Sequence, residues 1–263
     1  MIPRRFFYSF LTFVILAQTG RTQGIDTTRL SEYFDTLAAN NKFMGSVALL
    51  KKGQIIYTKQ VGFAELETKK EPNNNTKYRI GSVSKLFTAT LIFKAIEEGK
   101  VSLNETINHY FPSIENSEQI TISNLLNHRS GIHNYTDNKN EFLSYHTSPK
   151  TKAEMIALIS KGGSDFIPNS KAVYSNSNYI LLSYILEEVF QSSFSNVLKE
   201  HITEPLHLNS TFFGSPININ NNESFAYTLD KKWIKTAETH SSINLGAGGI
   251  VSTPTDLVLF AHA

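Results

Sequence analysis

The 263-residue sequence contains no cysteine. That excludes disulfides, thiol nucleophiles, cysteine metal ligands and a lipid-modified N-terminal cysteine, so the fold must rest on its apolar core. An excess of one charge is also lacking. Lys+Arg 25 against Asp+Glu 23 gives a net charge of +2, and no basic cluster stands out. Nucleic acid is therefore not an expected partner. The eight histidines, among them His109, His128, His133, His146 and His240, show no H-E-x-x-H or comparable spacing, so no metal and no cofactor are expected. A Gly-x-Ser-x-Gly elbow, a phosphate-binding loop and a dinucleotide fingerprint are absent as well. Neither an internal repeat nor a flexible linker divides the chain, which is long enough for one large domain or two intimate ones.

The N-terminal apolar stretch is too short for a membrane helix. Phe6 to Ala17 is twelve residues, against the roughly 20 that span a bilayer. Arg4 and Arg5 precede it, and Ala17 and Gly20 follow. Residues 1–20 thus read as a signal peptide, with a mature start between about Thr19 and Ile25 and a periplasmic or secreted destination. An uncleaved N-terminal anchor is the other reading of the same stretch.

What is present begins with Ser82-Val83-Ser84-Lys85, inside Tyr78 to Gly99; no other serine has lysine three residues on. Leu86, Ile92, Phe93 and Ile96 follow at helical spacing. Gly81 permits a tight turn into that helix. Residues three apart share a helix face, so Ser82 Oγ and the Lys85 amine can meet. A serine hydroxyl needs a base to become a nucleophile, and a desolvated lysine can serve. The plainer alternative makes Ser82 an N-cap and Lys85 a solvated first-turn residue. Free lysine titrates near pKa 10.4, so poising it near 7 means disfavouring the ammonium by about 4–5 kcal/mol.

Around this stretch the pattern predicts a helix over Ile25 to Asn41. A hairpin follows from Gly45–Leu50 and Gln54–Thr58, linked by Lys51-Lys52-Gly53. A polar loop around Pro72 to Asn75 comes next, then a connector with Tyr110 and Phe111 in the core. Helices are expected over Thr121–His128, ending at the glycine of Arg129-Ser130-Gly131, and over Thr151–Lys161, Asn178–Gln191 and Phe194–His201. His133 to Glu141 and Thr211 to Asn222 read as loops, the second mobile at Asn218 to Asn222. Trp233, the only tryptophan, reads as an ordinary packing residue or part of a strand. Tyr174-Ser175-Asn176 precedes an apolar helix. In extended backbone Tyr174 and Asn176 point the same way, a tyrosine to relay a proton and an amide to bond a lysine and a substrate. Taken alone, Tyr-x-Asn is also an N-cap beside a packed aromatic.

Four blocks occur in order. They are Ile80-Gly81-Ser82-Val83-Ser84-Lys85, Leu125-Leu126-Asn127-His128-Arg129-Ser130-Gly131-Ile132, Tyr174-Ser175-Asn176, and Ala247-Gly248-Gly249-Ile250-Val251-Ser252-Thr253-Pro254-Thr255-Asp256-Leu257. Their order and wording resemble the class C β-lactamase and D-alanyl-D-alanine carboxypeptidase family of serine hydrolases, which also contains esterases. The likeness runs from about Asn41 to the end of the chain. It implies an α/β (α+β) fold, with an antiparallel sheet flanked by helices, a helical subdomain and the site between them, over residues 21–263. By the same resemblance Ser82 is the acylated nucleophile, Lys85 its activating partner and Tyr174 the acid/base group. Asn176 bonds Lys85 and substrate. The Ser82 backbone N–H would form half of the oxyanion hole. Independently of the resemblance, His128 reads as a structural hydrogen-bonder and not a metal ligand.

A monomer acting on a small molecule or peptide is implied, with a β-lactam, a D-alanyl peptide and a small ester all open as substrates. A non-catalytic relative that binds such ligands is the rival. In the resembled family a third motif, Lys-Thr-Gly or His-x-Gly, follows the last block, and Lys235-Thr236-Ala237 neither follows it nor carries the glycine. Pro168-Asn169 stands where Pro-Gly is usual, and asparagine tolerates the same left-handed geometry. The expectation is therefore a C-terminally incomplete domain, poorly soluble and inactive when expressed as these 263 residues alone.

Overall fold

The computed structural model describes residues 26–263, so the signal-peptide reading of residues 1–20 lies outside the described residues. No helix among the described residues is long and apolar enough to cross a membrane. The chain opens with α1 (Thr27–Ala39), capped by the Asp26 carboxylate. Then β1 (Gly45–Lys51) and β2 (Gln54–Val61) pair as an antiparallel hairpin. Its turn is two residues, Lys52 at φ 53° and Gly53 at φ 77°, not the three expected. Two left-handed residues match the twist of the flanking strands. α1 packs on β2, and α9 (Pro254–Phe260) packs on β1.

Antiparallel pairing is spread over three small sheets instead of one. A second sheet joins β3 (Tyr78–Arg79), β7 (Ile250–Ser252) and β4 (Phe212–Phe213) in the order β3-β7-β4. A third is the hairpin of β5 (Tyr227–Asp230) and β6 (Lys232–Lys235), where Trp233 pairs with Leu229. Strands of two or three residues carry too little alternation to be read from a pattern. Residues 218–222 meet the chain before β3: Lys77 Nζ donates to the Asn221 carbonyl (2.9 Å), and the Lys77 N–H to that of Asn222 (2.8 Å).

The helical part is α2 (Ser84–Glu97), α3 (Ile122–Leu126), α4 (Lys139–Tyr145), α5 (Lys152–Gly162), α6 (Asn176–Phe190), α7 (Phe194–Leu198) and α8 (Ser241–Gly248). Capping boxes at Thr121/Asn124 and Thr151/Glu154 start α3 and α5. α4 begins within the stretch expected to be loop, nucleated by the Asn138 cap. After α3 the first left-handed residue is His128 (φ 59°), and the expected Gly131, three positions on, takes a positive φ as well (81°). α6 begins at Asn176, two residues early, and is buried from Ser177 through Leu186. A helix buried on all sides belongs at the centre of a core, and α2 and α8 both pack on it. On α2 the buried face is Phe87, Leu91, Ile92 and Ala95, whereas Leu86 and Phe93 are exposed. The buried stripe is thus rotated from the expected one: apolar residues lie on two faces of this helix, and spacing alone does not say which is inside. Phe260 of α9 stacks on Phe87 at 3.9 Å between ring centroids.

Gly246 is where α8 meets the other helices. A Cβ there would lie 2.4 Å from Thr88 Oγ1, 2.4 Å from Ser183 Oγ and 2.8 Å from Phe194 Cζ. The close approach is used: the Gly246 N–H donates to Ser183 Oγ (3.0 Å), and Thr88 Oγ1 donates to the Gly246 carbonyl (2.8 Å). Gly248, two residues on, would meet only ordinary contacts of 3.7 Å or more. Gly246→Ala should therefore lower unfolding free energy by about 1–3 kcal/mol through overpacking, while Gly248→Ala should leave it nearly unchanged. Denaturant titration of both variants checks the pair, and equal effects would contradict this packing account.

Candidate active site

Three chain segments converge on Ser82. The first is β3 and the turn that follows it. Gly81 sits at φ 53°, and a Cβ there would meet no atom within 4 Å, so what the turn demands of it is the dihedral alone. Ser82 lies in the single 3-10 turn Gly81–Val83 that leads into α2. The first hydrogen bond of that turn is Val83 N–H to the Ile80 carbonyl (3.2 Å). The Ser82 N–H precedes it, at the end of a helix where such donors lack intrahelical partners.

The second segment is the extended backbone at Tyr174-Ser175, which turns into α6 at Asn176. The third is the end of α8 and its continuation into β7. Leu245 there adopts φ 30°, ψ −132°, a break inside α8. Such a conformation costs about 1–3 kcal/mol and persists only where its surroundings impose it. Beyond the break the Gly246 and Ala247 carbonyls both point at α2, to Thr88 and Lys85. Two contacts hold this segment to the serine turn: Ile80 N–H to the Ile250 carbonyl (3.1 Å), and Ile250 N–H to Ser84 Oγ (3.1 Å).

All four residues singled out from the sequence meet here. Ser82 Oγ is 2.8 Å from the Tyr174 hydroxyl and 3.4 Å from Lys85 Nζ. Lys85 Nζ donates to Asn176 Oδ1 (2.8 Å) and to the Ala247 carbonyl (2.7 Å). The Tyr174 hydroxyl also reaches Asn176 Oδ1 (3.3 Å). Tyr174 and Asn176 converge as extended backbone predicts, although Asn176 is in fact the first residue of α6. Lys85 is only 7% exposed, which disposes of the solvated first-turn reading. Ser82 is open to solvent and Tyr174 is 48% exposed.

The contacts of Lys85 suit both of its protonation states: an ammonium can donate to Asn176 Oδ1, the Ala247 carbonyl and Ser82 Oγ together. A neutral amine has two N–H groups and one lone pair. Asn176 Oδ1 and the Ala247 carbonyl are the two nearer acceptors, which leaves the lone pair for the Ser82 hydroxyl. Burial pushes the Lys85 pKa below its ordinary value, with the hydrogen bond and charge of Tyr174 acting in the opposite sense. Desolvation of an ammonium favours the amine. The arrangement can thus take a proton from Ser82, with Tyr174 on the same oxygen to pass one on.

Ala247, Asn134 and Thr136 escape a reading of the sequence. Asn134 Oδ1 accepts the Asn176 N–H (2.9 Å), and Thr136 Oγ1 accepts from Asn176 Nδ2 (3.0 Å). These bonds orient the carboxamide so that its oxygen faces Lys85. The Ala247-Gly248-Gly249 block is visible in the sequence, but a backbone acceptor has no side-chain signature. Asn169 takes φ 68°, as the Pro-Asn pair implies. Among the described residues no group of three or more His, Asp or Glu could hold a metal ion.

A family model described as Beta-lactamase matches residues 30–263. The chain is 27% identical over 224 residues to the teichoic acid D-alanine hydrolase of Staphylococcus aureus strain MRSA252, an alignment covering 85% of this chain and 54% of the relative. It thus spans about half the length of the curated relatives it matches. The D-amino acid amidase from Ochrobactrum anthropi SV3, solved with D-phenylalanine, superposes with a TM-score of 0.78 at 26% identity, over 89% of this chain and 69% of that one. A penicillin binding protein from Bacillus halodurans shares the fold, with a TM-score of 0.78 at 21% identity over 88% and 72% of the two chains. With its match reaching from the first described helix to the last, the chain belongs to the Beta-lactamase family, with the β-lactamase/transpeptidase-like fold.

Proposed function

We propose that this chain is an exported serine hydrolase that takes a D-aminoacyl group from an ester or amide onto Ser82 and then passes it to water. The observation that carries the reading is the contact set around Ser82 Oγ, with Tyr174 at 2.8 Å and a buried Lys85 at 3.4 Å. The choice of acyl group is supported by the names of two relatives, a teichoic acid D-alanine hydrolase and a D-amino acid amidase. Export is supported by Arg4, Arg5 and the apolar run to Ala17.

In the first half-reaction Ser82 Oγ bonds to the acyl carbon while its proton moves to Lys85 Nζ. The Ser82 N–H donates to the oxyanion that forms. Collapse of the tetrahedral adduct breaks the bond to the leaving alcohol or amine, which receives a proton through the Tyr174 hydroxyl. Water then attacks the Ser82 ester, its proton is taken by the same Lys85–Tyr174 pair, and Ser82 leaves with a proton restored. Asn176 holds the lysine through Oδ1. Its Nδ2 keeps one N–H beyond the bond to Thr136, and that N–H is available to a substrate carbonyl. Proton sharing belongs to the set of groups and not to one residue.

Two measurements test the reading on the full-length protein. A fluorescent penicillin should open its lactam C–N bond on Ser82 Oγ and leave one labelled peptide, and Ser82→Ala should remove the label. Label surviving in that variant would remove Ser82 from the mechanism. Turnover of a chromogenic D-alanyl ester should fall about 10²-fold or more in Tyr174→Phe, the range for a general acid–base group. An unchanged rate would exclude Tyr174 as the relay.

A further inference from the structure

His128 has no part in the steps above, yet it contacts Tyr174 and both of its chain neighbours. Its carbonyl accepts the Val173 N–H (2.9 Å), and its imidazole Nδ1 accepts the Ser175 N–H (3.2 Å). The backbone on both sides of Tyr174 is therefore bonded to one residue. The imidazole also packs against the phenol, with 4.6 Å between ring centroids, and against Tyr179 at 5.3 Å. The left-handed φ of 59° after α3 is what turns carbonyl and side chain towards the same strand segment.

The tautomer follows from the neighbours. Asn178 Oδ1 accepts from Ser130 Oγ (2.7 Å), which turns its Nδ2 towards His128 Nδ1 (3.4 Å). Two donors thus face Nδ1, so the ring is neutral with its proton on Nε2. Tyr174 itself is half exposed, and apart from Ser82 and Asn176 no side-chain hydrogen bond among the described residues steadies its hydroxyl. Its aim at Ser82 has to come from the backbone and from the ring beneath it.

We propose that His128 is the positioning residue for Tyr174, holding the backbone on either side of it and its ring so that the hydroxyl stays on Ser82 Oγ. The inference rests on Tyr174 being the proton relay, and it extends that role to a residue that touches neither substrate nor the reacting oxygen. Misplacing a catalytic group by about 1 Å can cost 10²-fold in rate, so the clamp matters to turnover and not to substrate binding.

A pH signature follows. Lys85 from α2, Tyr179 from α6 and Tyr174 surround the imidazole, while the neighbouring Arg129 points away to the Asn169 carbonyl (3.3 Å). Burial first, and then Lys85 whenever it carries a proton, push the His128 pKa down, against the Ser175 hydrogen bond. The folded state therefore resists protonation that the unfolded chain accepts. The clamp is complete above about pH 6.5, the unfolded histidine value, and is lost as pH falls through the lower folded value, when Nδ1 gains a proton and no longer accepts from Ser175.

The test is a double-mutant cycle on the full-length protein with the D-alanyl ester. His128→Phe keeps a ring and loses the acceptor; kcat should fall about 10-fold or more with KM little changed. In a Tyr174→Phe background the same substitution should change kcat by less than about 2-fold, because its effect passes through the lost hydroxyl. An equal loss in both backgrounds, or no loss in the first, overturns the proposal. His128→Asn tolerates the left-handed backbone and offers an amide oxygen to Ser175. The acid side of the kcat profile should involve two protons, one taken up by Lys85 and one by His128, and His128→Asn should keep kcat within a few-fold while removing the second. If His128→Phe does not fold, that profile decides, and an unaltered two-proton limb overturns the proposal. Failure of the underlying reading looks different: the parent protein does not turn over, or Tyr174→Phe alone leaves the rate untouched, and the inference then falls with it.

Discussion

The structure depends on keeping an amine out of water. Lys85 is 7% exposed at the start of the central helix pair, and its two nearest acceptors come from residues 91 and 162 positions away in the chain. Burying an ammonium is costly, so the site favours the amine. The sign for stability follows directly. With the folded pKa below the unfolded value, the unfolded chain binds more protons between the two, and stability rises as pH climbs through that window towards about 10.4. A buried lysine in the proposed role thus weakens the fold below that window, and the surrounding core must offset that.

The offset is visible in how the elements around Lys85 are tied. Gly246 brings α8 into contact with Thr88, Ser183 and Phe194, and Leu245 accepts a strained backbone so that the next two carbonyls face α2. The pairing of β3 with β7 then links the serine turn to the same segment, through Ile80 and Ile250. One side of the site is therefore a single hydrogen-bonded unit made from residues 78–88 and 245–252. The other side, Tyr174 and Asn176, is oriented by Asn134, Thr136 and His128. A serine that must be reached from solvent sits between two rigid walls, which is the arrangement preorganised catalysis requires.

Much of this is legible in the sequence because its signals are local. Ser82 in the 3-10 turn and Lys85 in the first turn of α2 are three apart, and Tyr174 and Asn176 are two apart at the mouth of α6, so short-range geometry brings each pair together. What escapes is non-local or carried by backbone. The Ala247 carbonyl leaves no trace in side-chain types. The small sheet of β3, β4 and β7 has two or three residues in each strand, below the length at which alternation means anything. Leu86 and Phe93 mislead for another reason: α2 is apolar on two faces, and only the position of α6 decides which is buried. Gly131 takes the positive φ that a glycine signals (81°), but a first left-handed residue comes earlier, at His128, where carbonyl and ring both find partners.

The central claim is that Lys85 is held as an amine by burial between Asn176 and Ala247. It is tested most directly by NMR titration of 13C-labelled lysine side chains, with the Lys85 signal assigned by its loss in Lys85→Met. The account predicts one lysine titrating well below the ordinary value near pKa 10.4, and a further change in that pKa when Tyr174→Phe removes the opposing hydroxyl, downwards because Tyr174 acts to raise it. A Lys85 signal that titrates with the surface lysines, or above them, would contradict it.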